Sequence, residues 1–388
     1  MLAPTQLVDA IASSPAVWIR ELALTRWRNH KETRVSLQPG VSLFVGPNGQ
    51  GKTNILEAIG YLSTLASHRV NGAQALICDT HDDATIFGTL SHQSRDVTVG
   101  LTLKRRGASA ATVSGNTAKV SEVPRWVSAV LFAPEDSAIV RGEPGFRRAF
   151  LDHLVISGSP SMAAVYQDFD RVLKQRNSLL KSLRKNGPRG ELSTLDVWDE
   201  SFISLSAEIV DQRMEHLLGI LPLVNSNYAT IAGGDEVQAT YIPKGYSLPS
   251  DRVERLEIKS ALTAALALHR KDEIDRGMSL IGPQRDDLEL LISQRPARSH
   301  ASQGETWSLA LSLRLATATW LKQERPSGDP IIMLDDVFAE LDAKRRGHLV
   351  EMISGYEQIL ITSAVEEDVP QSLRGQVFDV AGGVVTPR

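Results

Sequence analysis

Apolar and polar positions change their spacing on the two sides of a glycine-rich turn near residue 50. Val41, Leu43 and Val45 alternate with other positions before the turn, whereas Ile55 and Ala58 follow it at helical spacing. A period of two indicates a strand, and a period near 3.6 indicates a helix. The pattern therefore predicts a buried strand, a tight turn and the start of a helix over residues 41–58.

Alternating positions predict further strands around this unit. Residues 17–24 and 34–37 alternate ahead of the turn, and β-rich segments broken by turn residues continue over 84–104 and 112–120. Two strands that precede the loop strand indicate a sheet with an antiparallel part. The first third of the chain is therefore predicted to be mainly β.

The spacing becomes helical in the middle of the chain. Long amphipathic helices are predicted over residues 161–185 and 191–221, the second ended by Pro222, and another helix over 258–275. Basic side chains share one face of the first helix, at Arg171, Lys174, Lys181 and Lys185. Such a face would suit a nucleic acid backbone, and a solvated helix face is the plainer interpretation.

The composition is that of an ordinary globular protein. The 388 residues are 42% hydrophobic and 23% charged, with a formal net charge of -4. This length allows two domains or one domain with a large insertion, and the charge argues against non-specific coating of nucleic acid. Cys78 is the only cysteine, which excludes an intrachain disulfide and fits a reducing cytoplasm. No apolar run reaches the roughly 18 residues of a membrane span, and residues 1–16 are expected to be a disordered extension.

The glycine-rich turn matches the pattern of a phosphate-binding loop. Gly46, Gly51, Lys52 and Thr53 fit G-x-x-x-x-G-K-[ST] between a predicted strand and a predicted helix. Glycines let backbone N–H groups surround phosphate oxygens, and the helix N-terminus adds partial positive charge. Lys52 is expected to bridge the β- and γ-phosphates of ATP, and Thr53 to bind Mg²⁺. The predicted nucleotide-binding residues here are Gly46, Pro47, Asn48, Gly49, Gln50, Gly51, Lys52 and Thr53.

A second candidate segment places two carboxylates at the end of an apolar run. Residues 331–334 are apolar, and Asp335 and Asp336 follow them. A buried parallel strand that ends in an acid is the usual partner of a phosphate loop. Asp335 is predicted to hold Mg²⁺, directly or through water, and Asp336 to orient or deprotonate the attacking water as a catalytic residue together with Lys52. A strand followed by an acidic turn without a ligand is the alternative.

A third candidate segment opens a helix at residue 302. Ser302 is suited to cap the helix, and Gly304 allows close backbone approach. A capped helix N-terminus is itself an anion site, so Ser302, Gln303 and Gly304 are predicted to bind nucleotide. Because one chain then carries two phosphate-seeking helix ends, the simplest arrangement is two chains head to tail. Each chain would offer its second site to the γ-phosphate held by the other's loop.

Together these motifs resemble the ATP-binding-cassette ATPases of the SMC-like branch and, within that branch, the RecF family. Residues 46–53 match the phosphate loop, Ser-Gln-Gly-Glu at 302–305 matches the signature motif, and Glu-Leu-Asp at 340–342 matches the D-loop. Further segments that resemble the family are residues 19–30, 67–69 and 131–137, Arg147-Arg148 with Leu151-Asp152, and residues 282–288. The resemblance runs from about residue 17 to the C-terminus. It implies an α/β fold, an ABC-type ATPase head (P-loop NTPase) with an inserted, mainly helical second lobe.

The resemblance also implies a division of the chain. A nucleotide-binding lobe I would be built from residues 17–140 and 278–388, with the helical lobe II inserted at 141–277 and the extension at 1–16. It further implies an ATP-dependent homodimer that binds DNA at single-strand gaps and double-stranded junctions. RecR, RecO and RecA would be its partners in recombinational repair and the SOS response, and the cytoplasm its location.

The sequence departs from the cassette pattern at two places. Asp336 stands where most cassette ATPases have Glu, and Thr362 and Ser363 occupy the switch position that usually holds His. Pro134-Glu135-Asp136 is the candidate for the Mg²⁺-sensing loop. The shorter reach of Asp336 fits slow hydrolysis, and the resemblance implies a weak ATPase that DNA stimulates and that acts as a dimerisation switch.

Three other classes of protein compete with this interpretation. An SMC-like ATPase of chromosome organisation would need a very long coiled coil, and the predicted hairpin at 161–221 is far too short. A nuclease-fused cassette enzyme would need an additional acidic metal-binding domain. A transporter ATPase would need a membrane-coupling partner, which the sequence does not reveal.

Overall fold

The structure, a computed structural model, describes residues 17–70, 72–92, 95–187, 192–234, 236–249, 253–324 and 328–388. The predicted extension at 1–16 lies outside the described residues. The strands are β1 (Val17–Trp27), β2 (His30–Ser36), β3 (Gly40–Val45), β4 (Asp83–His92), β5 (Arg95–Lys104), β6 (Ala110–Val113), β7 (Asn116–Ala118), β8 (Ala129–Phe132), β9 (Val237–Ile242), β10 (Asp287–Ile292), β11 (Arg295–Pro296), β12 (Ile331–Asp335), β13 (Gln358–Ser363), β14 (Gln376–Ala381) and β15 (Val384–Pro387). The α-helices are α1 (Lys52–Thr64), α2 (Ser137–Arg141), α3 (Pro144–Gly158), α4 (Met162–Asn186), α5 (Leu192–Ala232), α6 (Arg255–Arg276), α7 (Ala297–His300), α8 (Gln303–Glu324), α9 (Val337–Glu340) and α10 (Ala343–Ile353).

The first sheet is antiparallel, as the alternation predicts. Its strands lie in the order β2-β1-β4-β5-β6-β7, and each neighbouring pair is antiparallel. One face of this sheet is apolar and packs against α1, with Leu22, Ile86 and Leu101 buried at 0 to 1% exposure. The period-two pattern places these side chains on the same face.

The second sheet is mainly parallel and carries the nucleotide site. Its order is β15-β14-β3-β13-β12-β8, with β15 alone antiparallel to its neighbour β14. Phe44 and Met333 point toward α1 and the antiparallel sheet, whereas Leu43 and Ile332 point to the other face, toward α8 and α10. Helix α1 is therefore enclosed between two sheets, and both faces of the parallel sheet are covered, as such sheets require.

The third region is helical and includes a small sheet. Helices α3 to α6 share one apolar cluster with the antiparallel sheet β11-β10-β9, and one side of α8 joins the same cluster. Leu288 and Ile292 of β10 belong to it. The predicted boundaries of the lobes, including the one between residues 277 and 278, stay predictions. Among the helices that the structure describes, none is long and apolar enough to cross a membrane.

The prediction that Pro222 ends the second long helix is wrong. Helix α5 continues through Pro222 to Ala232. A proline inside a helix removes one hydrogen bond and disfavours the helix by about 3 kcal/mol. Beyond the proline, Val224, Tyr228 and Ile231 are buried at 0 to 2% exposure. Since burial of one such side chain contributes about 1.5–3 kcal/mol, tertiary packing outweighs the local penalty.

Candidate nucleotide-binding site

The phosphate loop lies between β3 and α1, where the sequence predicts it. Gly49 and Gly51 have φ angles of 80° and 114°, which side-chain-bearing residues rarely adopt. Gly46 is restricted by packing, because a methyl group there would lie 2.2 Å from the carbonyl oxygen of Val380 in β14. The first and last glycines of the motif are thus required by this fold even without a ligand.

Lys52 is the first residue of α1 and is buried, at 4% exposure. Its Nζ donates to the carbonyl oxygens of Gly46 at 2.8 Å and Pro47 at 3.2 Å. Among the described residues, no carboxylate forms an ion pair with it. A buried ammonium group without a counter-charge is costly. The loop therefore presents a cation that a phosphate would neutralise.

Thr53 and Asp335 come together although 282 positions separate them in the chain. The Thr53 hydroxyl donates to Oδ1 of Asp335 at 2.9 Å, and the Thr362 hydroxyl donates to the same oxygen at 2.6 Å. Burial raises the pKa of Asp335 to about 6, and the two hydroxyl groups oppose this shift. One hydroxyl and one carboxylate at the phosphate loop are the protein ligands that Mg²⁺ takes beside substrate phosphates, so the residues fit this ion.

Asp336 leaves the strand at the same edge. Its φ of 50° is in the left-handed region, which Asp tolerates better than most residues and which often marks a functional position. Its backbone N–H donates to the Thr362 hydroxyl at 3.1 Å, and its side chain does not cap α9. The backbone thus positions the carboxylate, which forms no hydrogen bond or ion pair with the residues that the structure describes.

Ser302 caps α8, as predicted. Its hydroxyl accepts from the Glu305 N–H at 3.2 Å, and its own N–H donates to the Glu305 carboxylate at 2.7 Å. A methyl group at Gly304 would lie 2.7 Å from Nη2 of Arg345, which also binds the Ser308 hydroxyl. Arg345 pairs with Asp342 as well, so it joins the start of α8 to the predicted D-loop.

The predicted nucleotide residues fall into two groups in the structure. Residues 46–53 adjoin Asp335, whereas Ser302 and Gln303 are exposed. In the described part of the chain, no hydrogen bond or ion pair joins residues 302–304 to the phosphate loop. The role of Ser302, Gln303 and Gly304 in nucleotide binding therefore stays a prediction, and it requires a second chain.

Sequence reasoning missed the contribution of Thr362. Its position indicates only a departure at the switch position, yet its hydroxyl holds both the Asp335 carboxylate and the Asp336 backbone. Thr362 pairs with Asp335 across the parallel strands β13 and β12. A polar residue at the end of the neighbouring strand was the available signal. Glu135, just beyond β8, lies near enough for its charge to raise the pKa of Asp335.

Fold and site define a class. A cassette-type ATPase head has a phosphate loop and an acid-ending strand on a parallel sheet. It also has an added antiparallel sheet and a helical lobe that is joined by a serine-capped helix, and this chain has all of these parts. The RecF/RecN/SMC N terminal domain matches residues 18–380 of the chain. RecF, the DNA replication and repair protein, of Clavibacter sepedonicus is 43% identical over 384 residues, covering 95% of this chain and 94% of that protein. The RecF protein of Streptomyces avermitilis is 44% identical over 373 residues, covering 95% and 99%.

Solved structures agree with these relatives. A structure of the recombination mediator protein RecF with ATP in the RecFOR pathway is 26% identical, with a TM-score of 0.83 over 96% of this chain and 98% of that one. The Smc head domain of Pyrococcus furiosus, at 15% identity and a TM-score of 0.52, shares the fold alone. The chain belongs to the RecF family. The predicted family and fold class are confirmed.

Proposed function

We propose that this protein is an ATP-dependent, DNA-binding recombination mediator that recognises single-strand gaps and junctions and helps to load RecA in recombinational repair and the SOS response. Membership of the RecF family supports this role. The observation on which the nucleotide part rests is the hydrogen bond between the Thr53 hydroxyl and the Asp335 carboxylate, because it joins the two halves of the site.

The residues of the site have separate roles in this proposal. The N–H groups of residues 46–53 and the ammonium group of Lys52 bind the phosphates of ATP, while Thr53 and Asp335 hold Mg²⁺. When bound, Mg²⁺ neutralises charge on the phosphate oxygens. Asp336 orients the attacking water and accepts its proton. The shorter side chain of Asp, compared with Glu, fits slow hydrolysis.

The ATPase acts as a switch for dimerisation. ATP bound by the loop of one chain recruits Ser302, Gln303 and Gly304 of a second chain, whose α8 N-terminus faces the γ-phosphate. DNA binds only the dimer. It therefore strengthens dimerisation by the same factor by which ATP-driven dimerisation strengthens DNA binding. Hydrolysis removes the γ-phosphate and releases the DNA. RecR and RecO act with the dimer, and the cytoplasm is its location.

The first test concerns gating by ATP. Lys52→Arg is expected to abolish ATP-dependent dimer formation in sedimentation velocity, because the bulkier guanidinium disturbs the buried position of Lys52. Lys322→Arg is the matched control, since Lys322 lies in an exposed ion pair with Asp329. Undiminished dimerisation of Lys52→Arg would defeat the gating scheme.

The second test concerns the composite site. ATP turnover of the wild type is expected to rise with gapped DNA, and Ser302→Arg is expected to remove that rise while monomer ATP binding persists. Ser354→Arg, at the exposed end of α10, is the control for an added charge. Turnover that is indifferent to DNA, or unaffected by Ser302→Arg, would count against a DNA-stimulated switch.

The SMC-like role in chromosome organisation is the alternative function. The structure gives it little support, because the candidate coiled-coil helices α4 and α5 span only 25 and 41 residues. The resemblance to Smc heads extends to the fold alone.

A further inference from the structure

Two turns from opposite ends of the chain lie against the phosphate loop. The first joins β1 to β2 and contains Asn29 and His30. Asn29 Nδ2 donates to the carbonyl oxygen of Gln50 at 2.9 Å, and His30 Nε2 lies 3.0 Å from the carbonyl oxygen of Gly51. The tautomer that carries the proton on Nε2 donates to the Gly51 carbonyl oxygen, whereas Nδ1 lies 2.9 Å from the carbonyl oxygen of Gly383, so a neutral ring donates to one of the two.

The second turn joins β14 to β15 and adds further hydrogen bonds to Gln50. The Gly383 N–H donates to the Gln50 carbonyl oxygen at 2.9 Å, and the Gly382 N–H donates to the Gln50 side chain at 2.7 Å. The Gly383 carbonyl oxygen in turn accepts from the Thr33 hydroxyl at 2.7 Å. The Gln50 carbonyl group is therefore held by Asn29 and Gly383, and the Gly51 carbonyl group faces His30 and also accepts from the Asn54 N–H at 3.0 Å.

Peptide geometry converts this anchoring into a direction for the amides. In a planar trans peptide the C=O of one residue and the N–H of the next point in opposite directions. When Asn29 and Gly383 hold the Gln50 carbonyl, the Gly51 N–H must point away from them. When His30 donates to the Gly51 carbonyl oxygen, the Lys52 N–H must likewise point away from His30. These two N–H groups are among those with which a phosphate loop binds its anion.

The packing at this contact is tight enough to depend on glycine. A methyl group at Gly51 would lie 2.7 Å from Oδ1 of Asn29 and 2.8 Å from Nε2 of His30. His30 is fully buried, and burial lowers its pKa, which favours the neutral ring. Asn29 is also fixed from the helix side, since Nδ2 of Asn54 donates to its Oδ1 at 2.7 Å.

We propose that Asn29 and His30 are positioning residues of the nucleotide site, which aim the Gly51 and Lys52 amides at the phosphates through the carbonyl groups behind them. The inference rests on the proposed binding of ATP and extends it to two residues outside the phosphate loop. Neither residue touches the nucleotide in this scheme. Substitution of either residue is therefore expected to weaken phosphate binding without unfolding the protein.

The test measures monomer affinity for ATP and for ADP by calorimetry, beside urea unfolding of the nucleotide-free protein. Asn29→Ala and His30→Ala are each expected to raise Kd for both nucleotides about tenfold, which corresponds to about 1.4 kcal/mol, because the Gly51 and Lys52 amides are then aimed less well at the phosphates. His30→Gln keeps an N–H donor and is expected to recover most of the affinity. Ile220→Val, in the helical cluster, is the control for general destabilisation.

The outcomes separate the two proposals. Unchanged affinity in Asn29→Ala and His30→Ala, or an equal loss in Ile220→Val, would overturn the positioning role. Failure of His30→Gln to recover affinity would overturn the role of the Gly51 contact. Because the measurement uses monomers, a failure of ATP-dependent dimerisation would not affect the positioning proposal. A wild-type chain that binds neither ATP nor ADP would defeat both proposals.

Discussion

Buried charged side chains have different partners in the nucleotide site and in the helical region. Lys52 and Asp335 are each 4% exposed, and in the described part of the chain neither has an oppositely charged partner. In the helical region Arg176 is 1% exposed, and it donates to Asp199 at 2.7 Å and to Glu273 at 2.5 Å. Lys52 and Asp335 would be neutralised by the nucleotide and Mg²⁺ that we propose they bind, whereas Arg176 is neutralised within the chain.

A second set of buried polar groups surrounds residues 282–288, one of the segments that resemble the family. Asp286 is fully buried and accepts from the hydroxyl groups of Tyr241 and Tyr246, each at 2.6 Å. The remaining pairs here join different elements: Arg147 with Asp287, and Arg213 with Asp152. These groups connect α3, α5, β9 and β10, and Asp286 itself is held by neutral hydroxyl groups and not by an ion pair among the described residues.

The comparison separates two kinds of motif that look alike in the sequence. A buried charge is tolerated when a counter-charge and hydrogen bonds surround it. Where the chain supplies that counter-charge, the motif is structural. Where the described residues supply none, as at Lys52, we expect a bound anion such as phosphate to supply it, and the motif is then functional.

The largest expected effect is on stability. Arg176→Met would leave Glu273, which is fully buried, without its cation, and the loss is expected to be about 3–5 kcal/mol in the free energy of unfolding. Urea unfolding of the nucleotide-free protein measures it. Arg171→Met, on the exposed face of the same helix, is the control and should change stability by less than about 1 kcal/mol. Equal effects of the two substitutions would break the comparison.

The next effect is on ligand affinity. Lys52→Met is expected to raise Kd for ATP about 100-fold, which corresponds to about 2.7 kcal/mol. The unfolding free energy of the nucleotide-free protein should stay within about 1 kcal/mol of the wild type, because the substitution also removes a buried unpaired charge. Calorimetry and urea unfolding measure the two quantities, with Lys322→Met as control. A large loss of stability in Lys52→Met would show that its charge is paired after all.

The sequence predicted the parts of this site that depend on contiguous residues. Residues 46–53 form their motif locally, and the apolar run before Asp335 identifies a buried strand, so both halves of the site could be located without a structure. The sequence could not show that Thr362 would hold Asp335, since that contact depends on the register of β13 beside β12.

The helix that passes through Pro222 illustrates a second limit. Local propensity favours a stop at a proline, and only the burial of residues such as Tyr228 against the rest of the protein reverses it. Asn29 and His30 were recognised as part of a family motif, but their contacts with Gln50 and Gly51 join segments that propensity and periodicity treat separately.

The smallest expected effect concerns His68, a partly buried side chain whose ring is kept neutral. His68 lies between the end of α1 and the helical region, and among the described side chains nothing forms a hydrogen bond with its Nε2. Burial lowers the pKa of His68 from 6.5 to about 4, although the Glu57 carboxylate opposes the shift, while nearby Arg69, His153 and Arg314 add to it. A neutral ring is thus a third way to place an ionisable side chain inside the protein, beside an internal counter-charge and a bound ligand.

This solution predicts a dependence of stability on pH. The unfolded chain binds a proton at His68 near pH 6.5 and the folded chain only near pH 4, so between these values the unfolded state holds more protons and acid favours unfolding. The contribution is complete above pH 6.5 and is lost as the pH falls toward 4. His68→Leu is expected to remove about 1–2 kcal/mol of this decline in urea unfolding. His153, whose pKa burial also lowers to about 4, should maintain part of the slope. His300→Leu, at an exposed position, is the control, and an unchanged slope in His68→Leu would mean that folding does not lower the pKa of His68.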